Sequence, residues 1–281
     1  MIEIKTIIES LGYSDSNDFY YGETISENLN EKIPSGNKIL YELNPVAYYL
    51  IKDKPFILFF ECYEKQISKE LIKKIWNAQI PLAIVVFENR VEIFNGCALE
   101  KESLVLLESI KNIEAINKDT PFSYWKVSDA SFWKNYIKKL SKAKLDSILL
   151  ENIKVATNKI KESACEPFAV KLVLRLLFIR FLIDRGVDLN YSGLRGDVKN
   201  AQDHLLRLIK EKKTLYALFA YLKKQFNGNL FEVYEEKSTS EIDLLDDEIL
   251  KILYDLLSGN LVLSSGQHSL FPMYDFNIIP V

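Results

Sequence analysis

Residues 46–63, VAYYLIKDKPFILFFECY, decide the fold of the first half of the chain. Two runs rich in β-branched and aromatic residues, at 46–51 and 56–63, flank the segment DKP at 53–55, whose residue types favour a turn. This pattern predicts a β-hairpin. A similar short run, ILYEL at 39–43, predicts another strand just before it.

A helix and a second pair of strands are predicted after the hairpin. Ser68 has a residue type that favours the N-cap, and apolar residues at helical spacing follow it as far as about Gln79. LAIVVF at 82–87 predicts a buried strand. VEIF at 91–94 predicts the returning strand, which we expect to end in a turn at Asn95-Gly96.

Helical patterns dominate the remainder of the chain, so the sequence predicts an α+β protein. We expect a mixed-sheet α/β domain over 1–125 and an all-α domain over 126–281. Helices are predicted at 100–112, at 131–162, from Pro167 to Gly186, from Leu215 to Phe226, and after an N-cap at Asp243.

The composition is that of a globular protein and excludes a disordered or fibrous chain. Of 281 residues, 48% are hydrophobic and 27% are charged, and the net charge is -3. The charge is uneven, because 126–161 contains nine lysines and three acidic residues, whereas 230–257 contains nine acidic residues and two lysines. A globally basic nucleic-acid binder is therefore not indicated, but a locally basic surface is.

The cysteine content and the hydropathy of the chain indicate in which cellular compartment it is expected. Three widely spaced cysteines without a CxxC pair indicate neither a zinc site nor a disulfide framework, so a cytoplasmic location is expected. The most apolar stretch, 172–183, is interrupted by Arg175 and Arg180, so no membrane partner is expected. Asp184 lies one helical turn after Arg180, which favours structural ion pairing of these arginines over phosphate binding.

The predicted hairpin contains a group of residues that fits metal-dependent phosphodiester cleavage. Many nucleases place an acidic residue on one strand and an acid-x-Lys pair on the next, so that two carboxylates hold Mg²⁺ and the lysine activates water. Asp53 lies at the predicted turn and Glu61 on the second strand. Period-2 alternation predicts Glu61, Tyr63 and Lys65 on one face, with tyrosine where the pattern requires lysine.

Two interpretations of this group stay open. In the first, Asp53 and Glu61 bind Mg²⁺ and Lys65 serves in place of the missing lysine, which makes all three catalytic candidates. In the second, Asp53 belongs to a solvated turn, and Glu61 ends a strand with its carboxylate in water.

The basic segment is the second candidate site. Lysines on one helix face would bind phosphates through salt-dependent attraction that does not read sequence. The alternative is a solvated helix face whose aromatic residues, Trp125, Phe132, Trp133 and Tyr136, belong to the core. The candidate DNA-binding residues are Lys134, Lys138, Lys139, Lys142 and Lys144.

Two parts of the chain resemble a known family. The stretches IKDKPFILFFECYEK at 51–65 and IKKIWNAQIPLAIVVFENRVEIFNG at 72–96 form the first part. LVLRLLFIRFLIDRG at 172–186, FAYLKKQFNGNLF at 219–231 and SLFPMYDFNIIPV at 269–281 form the second. Together they resemble the N-terminal region of bacterial, type IIG-like restriction–modification proteins that have an adenine-specific DNA methyltransferase core.

The resemblance implies a restriction-endonuclease-like domain of the PD-(D/E)XK type, degenerate at Tyr63, followed by a helical connector. It also implies duplex DNA as a partner, together with methyltransferase and target-recognition domains of the same polypeptide that would follow Val281. The chain itself has neither the Pro-Pro-aromatic catalytic motif nor an S-adenosylmethionine loop. We therefore expect S-adenosylmethionine to bind only in that downstream domain.

Three functions follow as hypotheses. The first is a DNA-engaging fragment of a phage-defence restriction–modification polypeptide that cleaves DNA with Mg²⁺. The second is a non-catalytic module with a degenerate nuclease fold, which binds DNA or holds neighbouring domains in place. The third is a protein-interaction module whose acidic segment, 230–257, binds a basic partner.

Overall fold

The structure, a computed structural model, describes residues 3–22, 37–52, 54–140, 145–226, 229–233, 235–236, 239–264 and 266–279. Three candidate site residues, Asp53, Lys142 and Lys144, lie outside the described residues. The chain forms two compact units. One contains the described residues up to Leu145 and from Ile278 onwards, and the other contains those from Asp146 to Asn277. The sheet-containing unit thus extends beyond the predicted boundary at residue 125.

The first unit is built on a six-stranded mixed sheet whose strands lie side by side in sequence order. The third and fourth strands run parallel, and every other neighbouring pair is antiparallel. The strands are β1 (Phe19–Tyr21), β2 (Ala47–Ile51), β3 (Lys54–Cys62), β4 (Leu82–Phe87), β5 (Val91–Glu100) and β6 (Ser103–Ile110). The α-helices among the described residues of this unit are α1 (Ile4–Ser10), α2 (Asn37–Leu43), α3 (Lys69–Ala78), α4 (Tyr124–Ser128) and α5 (Ser131–Leu140).

The predicted hairpin is confirmed, but the strand predicted at 39–43 is wrong. Strands β2 and β3 pair in antiparallel register, with Ile51 opposite Lys54. The 39–43 run forms most of α2. Leu40 and Leu43, three residues apart, are buried, whereas Tyr41 between them is exposed. That spacing fits one face of a helix and does not fit the alternation of a strand.

The helix predicted at 100–112 and the turn predicted at Asn95-Gly96 are also wrong. Strand β5 continues through both residues to Glu100, and a tight turn leads into β6. The turn residues Lys101 and Glu102 have φ of 50° and 63°, the left-handed conformation that a two-residue hairpin requires. In β6, which pairs with β5, Leu104, Val105 and Leu107 are buried and Leu106 is exposed.

Helices cover both faces of the sheet. One face packs against α1, α4 and α5 through a single apolar cluster that includes Phe59, Ile84 and Ile93. Alternate strand residues point the other way, where α3 contacts β5 and β6 and also packs on α2. The first unit therefore has three layers, with the sheet in the middle.

The N-cap predicted at Ser68 is confirmed and carries a testable consequence. The Ser68 hydroxyl accepts a hydrogen bond from the Leu71 amide at 3.2 Å, which satisfies one amide of the first turn of α3. We expect Ser68→Ala to lower the free energy of unfolding by about 1 kcal/mol. Urea unfolding followed by circular dichroism measures this, with Ser192→Ala in an exposed loop as the control. Equal midpoints for the two variants would contradict the capping role.

The second unit is mainly helical. Its helices are α6 (Leu145–Lys161), α7 (Glu166–Asp184), α8 (Val198–Ile209), α9 (Lys212–Gln225), α10 (Glu241–Leu244) and α11 (Asp247–Ser258), with a two-stranded sheet of β7 (Glu235–Glu236) and β8 (Thr239–Ser240). Helix α7 supplies much of the core through its buried residues, which include Phe168, Leu172 and Ile179. Val170, Leu174 and Phe181, spaced at i, i+4 and i+11, lie on its exposed side. The cap predicted at Asp243 is wrong, because Asp246 accepts from the Ile249 amide and begins α11.

The expected ion pair of Arg180 with Asp184 is present, at 2.7 Å and buried. Asp184 also accepts hydrogen bonds from Gln202 and from the amide of Phe276, and Arg180 donates to the carbonyl of Tyr274. These contacts join α7 to α8 and to the C-terminal loop of the unit. Among the described helices, none is both long and apolar enough to cross a membrane.

Candidate functional site

Glu61 lies near the end of β3, on the sheet face that also carries Ile57 and Phe59. It stands beside Val86 of the parallel strand β4. A small pocket of about 70 Å³ opens next to it, and Glu61 is half-buried in its wall. The residues that line the pocket are Glu3, Glu61, Cys62, Tyr63, Val86, Phe87 and Glu88.

Tyr63 contacts the candidate carboxylate directly. Its hydroxyl donates a hydrogen bond to Oε2 of Glu61 at 2.8 Å, while the ring is largely exposed. This hydrogen bond, with the charge of Glu61, raises the pKa of Tyr63. The phenol therefore stays neutral at physiological pH and cannot supply the positive charge that a lysine would bring to this position.

Lys65 does not lie on the strand. Strand β3 ends at Cys62, and residues 64–66 form an exposed bend. The prediction that alternation carries Lys65 to the face of Glu61 is therefore wrong. Arg90 holds this bend, since its Nη2 donates to the Lys65 carbonyl at 2.8 Å while its guanidinium stacks 3.9 Å above Phe87. No local pattern in the sequence signals this role of Arg90, because the two residues are far apart along the chain.

The described residues only partly fit a Mg²⁺ site. Glu3, Glu61 and Glu88 provide carboxylates of the kind that Mg²⁺ prefers. Within the described part of the chain, however, no three acidic, histidine or cysteine side chains are grouped closely enough to hold one metal ion. Asp53, the other predicted ligand, lies outside the described residues.

The candidate DNA-binding lysines differ in what they contact. Lys139 donates from Nζ to the carbonyls of Leu106 and Leu107 at 2.8 and 3.0 Å, and its own carbonyl accepts from Asn95. Its ammonium therefore anchors α5 to the sheet. Lys134 and Lys138 are exposed, and neither ammonium forms an ion pair with the described residues. They are the two described lysines of the set that can reach a phosphate.

The aromatic residues of this segment divide between core and surface. Phe132 is buried, and Tyr136 donates to Glu108 at 2.6 Å on the sheet side. Trp125 and Trp133 keep 50% and 44% of their surface exposed. The interpretation that all four are core residues is therefore wrong. Helical spacing was the available signal, since 132 and 136 share a face that 133 does not.

Comparisons of the chain with protein-family models, with curated protein sequences and with solved structures find no match. The resemblance to restriction–modification proteins therefore stays a prediction from sequence.

Proposed function

We propose that this chain is a DNA-engaging N-terminal part of a restriction–modification polypeptide. In this proposal the first unit is a restriction-endonuclease-like domain that binds duplex DNA, and the second unit is a helical connector. The methyltransferase and target-recognition domains of the same polypeptide are its proposed partners, and S-adenosylmethionine would bind there.

One observation carries the proposal. The hairpin β2–β3 continues through helix α3 into β4, which runs parallel to β3, and an acidic residue, Glu61, lies at the pocket beside these strands. This is the kind of scaffold on which the nucleases described above place their acidic residues. Lys134 and Lys138 in the same unit add exposed positive charge, which favours a polyanionic partner.

Between the two forms of this function, the contacts of Glu61 favour the non-catalytic one. Tyr63 occupies one carboxylate oxygen and stays neutral, and Lys65 is displaced into the bend. Cleavage is the second candidate, because Glu61 is half-buried at a pocket with two further carboxylates, Glu3 and Glu88.

Duplex-DNA binding is the first test. We expect the chain to retain duplex DNA at low salt without added metal. Lys134→Glu combined with Lys138→Glu should abolish most of this binding, because two phosphate contacts are lost and like charges are introduced. The slope of log K against log salt should fall by about 1.8. Failure of the unaltered chain to bind DNA at low salt would overturn the proposal and favour the protein-interaction hypothesis.

A titration with Mg²⁺ or Mn²⁺ and supercoiled duplex DNA separates the two forms. The non-catalytic form predicts no nicking and no effect of metal on DNA binding. Nicking that disappears in Glu61→Ala, but persists in Glu64→Ala, would establish the cleaving form instead. Glu64 is a suitable control because it is an exposed acidic residue three positions away, outside the pocket.

A further inference from the structure

The exposed face of α5 carries two adjacent rows of side chains. Trp133 and Ile137, one helical turn apart, form an apolar row with 44% and 49% of their surfaces exposed. Lys134 and Lys138, also one turn apart, form a basic row beside it. We call Trp133, Ile137, Lys134 and Lys138 the Trp–Lys face.

The opposite side of α5 is firmly attached to the sheet. Phe132 is buried there, the Tyr136 hydroxyl donates to Glu108, and Lys139 bonds to two carbonyls of β6. Asn95 of β5 donates to the Lys139 carbonyl at 2.9 Å. These contacts set the rotation of α5 about its axis. Exposure of Trp133 and Ile137 therefore follows from how the helix is held.

The charge around this face is positive. Apart from Lys139, whose ammonium is bound to carbonyls of β6, the described residues of α4, α5 and the turn between them contain three lysines, Lys126, Lys134 and Lys138, and one carboxylate, Asp129. Hydrogen bonds from Ser131, with smaller contributions from Lys126 and Lys134, lower the pKa of Asp129, so that carboxylate is ionised at neutral pH. The three lysines still leave an excess of two positive charges.

An exposed indole beside lysines fits a single-stranded nucleic acid better than a duplex or an acidic peptide. In duplex DNA the base faces are stacked on each other, so flat aromatic side chains find little to contact. In a single strand the bases are free to stack on indole rings, each worth about 1–3 kcal/mol, while lysines bind the phosphates. The carboxylates of an acidic peptide would pair with the lysines, but acidic side chains offer no planar rings to stack on an indole.

We propose that the Trp–Lys face binds an unpaired stretch of DNA, with a base stacked on Trp133 and phosphates on Lys134 and Lys138. This inference deepens the proposed function and rests on its DNA-binding role. It adds that the DNA engaged by the first unit includes a single-stranded segment.

Tryptophan fluorescence tests the proposal directly, because Trp133 lies on this face, whereas Trp76 is fully buried. The full chain is titrated in EDTA with a short oligothymidine, with a duplex of equal length, and with polyglutamate. We expect quenching by the single strand only. Quenching by polyglutamate to the same extent would overturn the proposal in favour of an acidic peptide.

Substitutions make the test specific. Trp133→Ala should weaken single-strand binding at least about fivefold, whereas Trp133→Phe, which keeps a stacking ring, should retain most of it. Lys134→Glu with Lys138→Glu should lower the salt slope for the single strand by about 1.4. The control, Lys212→Glu with Lys213→Glu at the exposed start of α9, should not lower it.

The two proposals fail in different ways. Duplex binding without single-strand quenching, or single-strand binding that Trp133→Ala leaves unchanged, would overturn this inference and leave the proposed function standing. Loss of all DNA binding at low salt would overturn both. Single-strand binding through Trp133 without any nicking would support this inference and the non-catalytic form of the proposed function together.

Discussion

Arg175→Met is expected to lower the free energy of unfolding of the second unit by about 3–5 kcal/mol. Arg175 and Glu241 are both fully buried and form an ion pair. The guanidinium also donates to the carbonyls of Leu230 and Glu232, and the Tyr216 hydroxyl donates to Glu241. Removing the arginine takes the ion-pair partner from a buried carboxylate, which keeps the hydrogen bond from the Tyr216 phenol. Urea unfolding measures the loss.

A double variant distinguishes the loss of the ion pair from the loss of packing around Arg175. Arg175→Met with Glu241→Leu removes both charges and keeps most of the volume, so we expect it to recover much of the stability that Arg175→Met loses. The exposed pair of Lys69 with Glu102 provides the control, and Lys69→Met should leave the unfolding midpoint nearly unchanged. A double variant as unstable as the single one would show that the arginine acts through its other contacts.

Gly96→Ala is expected to lower the free energy of unfolding of the first unit by about 3 kcal/mol, because the added methyl has no room. A Cβ at Gly96 would overlap the carbonyl oxygen of Ile80, and it would lie 2.8 Å from Cγ2 of Ile75. The connection between α3 and β4 passes over β5 at this point, and neither the backbone of Ile80 nor the buried side chain of Ile75 can move away freely.

Gly186→Ala serves as the matched control. Nothing lies within 4 Å of a Cβ built there, and φ is +68°, so only the conformational cost of about 1–2 kcal/mol is expected. Thermal or urea unfolding of both variants gives the comparison. If Gly96→Ala proved as mild as Gly186→Ala, the close approach of Ile80 to β5 would be contradicted.

Local patterns were sufficient for several elements of the fold. The turn residues at 53–55 and the flanking apolar runs predicted the β2–β3 hairpin, and Ser68 predicted the start of α3. The i to i+4 spacing of Arg180 and Asp184 predicted their ion pair. These features depend on residues close in sequence, whose geometry is set by helix or turn spacing alone.

The positions of the candidate site residues, in contrast, depend on contacts between residues that are far apart in sequence. The position of Lys65 follows from where β3 ends and from the hydrogen bond of Arg90, which is twenty-five residues away in sequence. The exposure of Trp133 follows from the attachment of α5 to β5 and β6 through Asn95 and Lys139. No local sequence pattern predicts such contacts. A tryptophan in a helix can lie on either the buried or the exposed face.

The sequence by itself determined an α+β chain with a central hairpin, a crossover helix and a helical second half, because hydrophobic period and turn chemistry act over a few residues. Only the tertiary structure decided that 39–43 is helical, that 103–110 is a strand, and that Trp133 and two of the lysines of α5 face solvent. Those outcomes depend on which surface each short segment packs against, and burial against a distant partner outweighs local propensity.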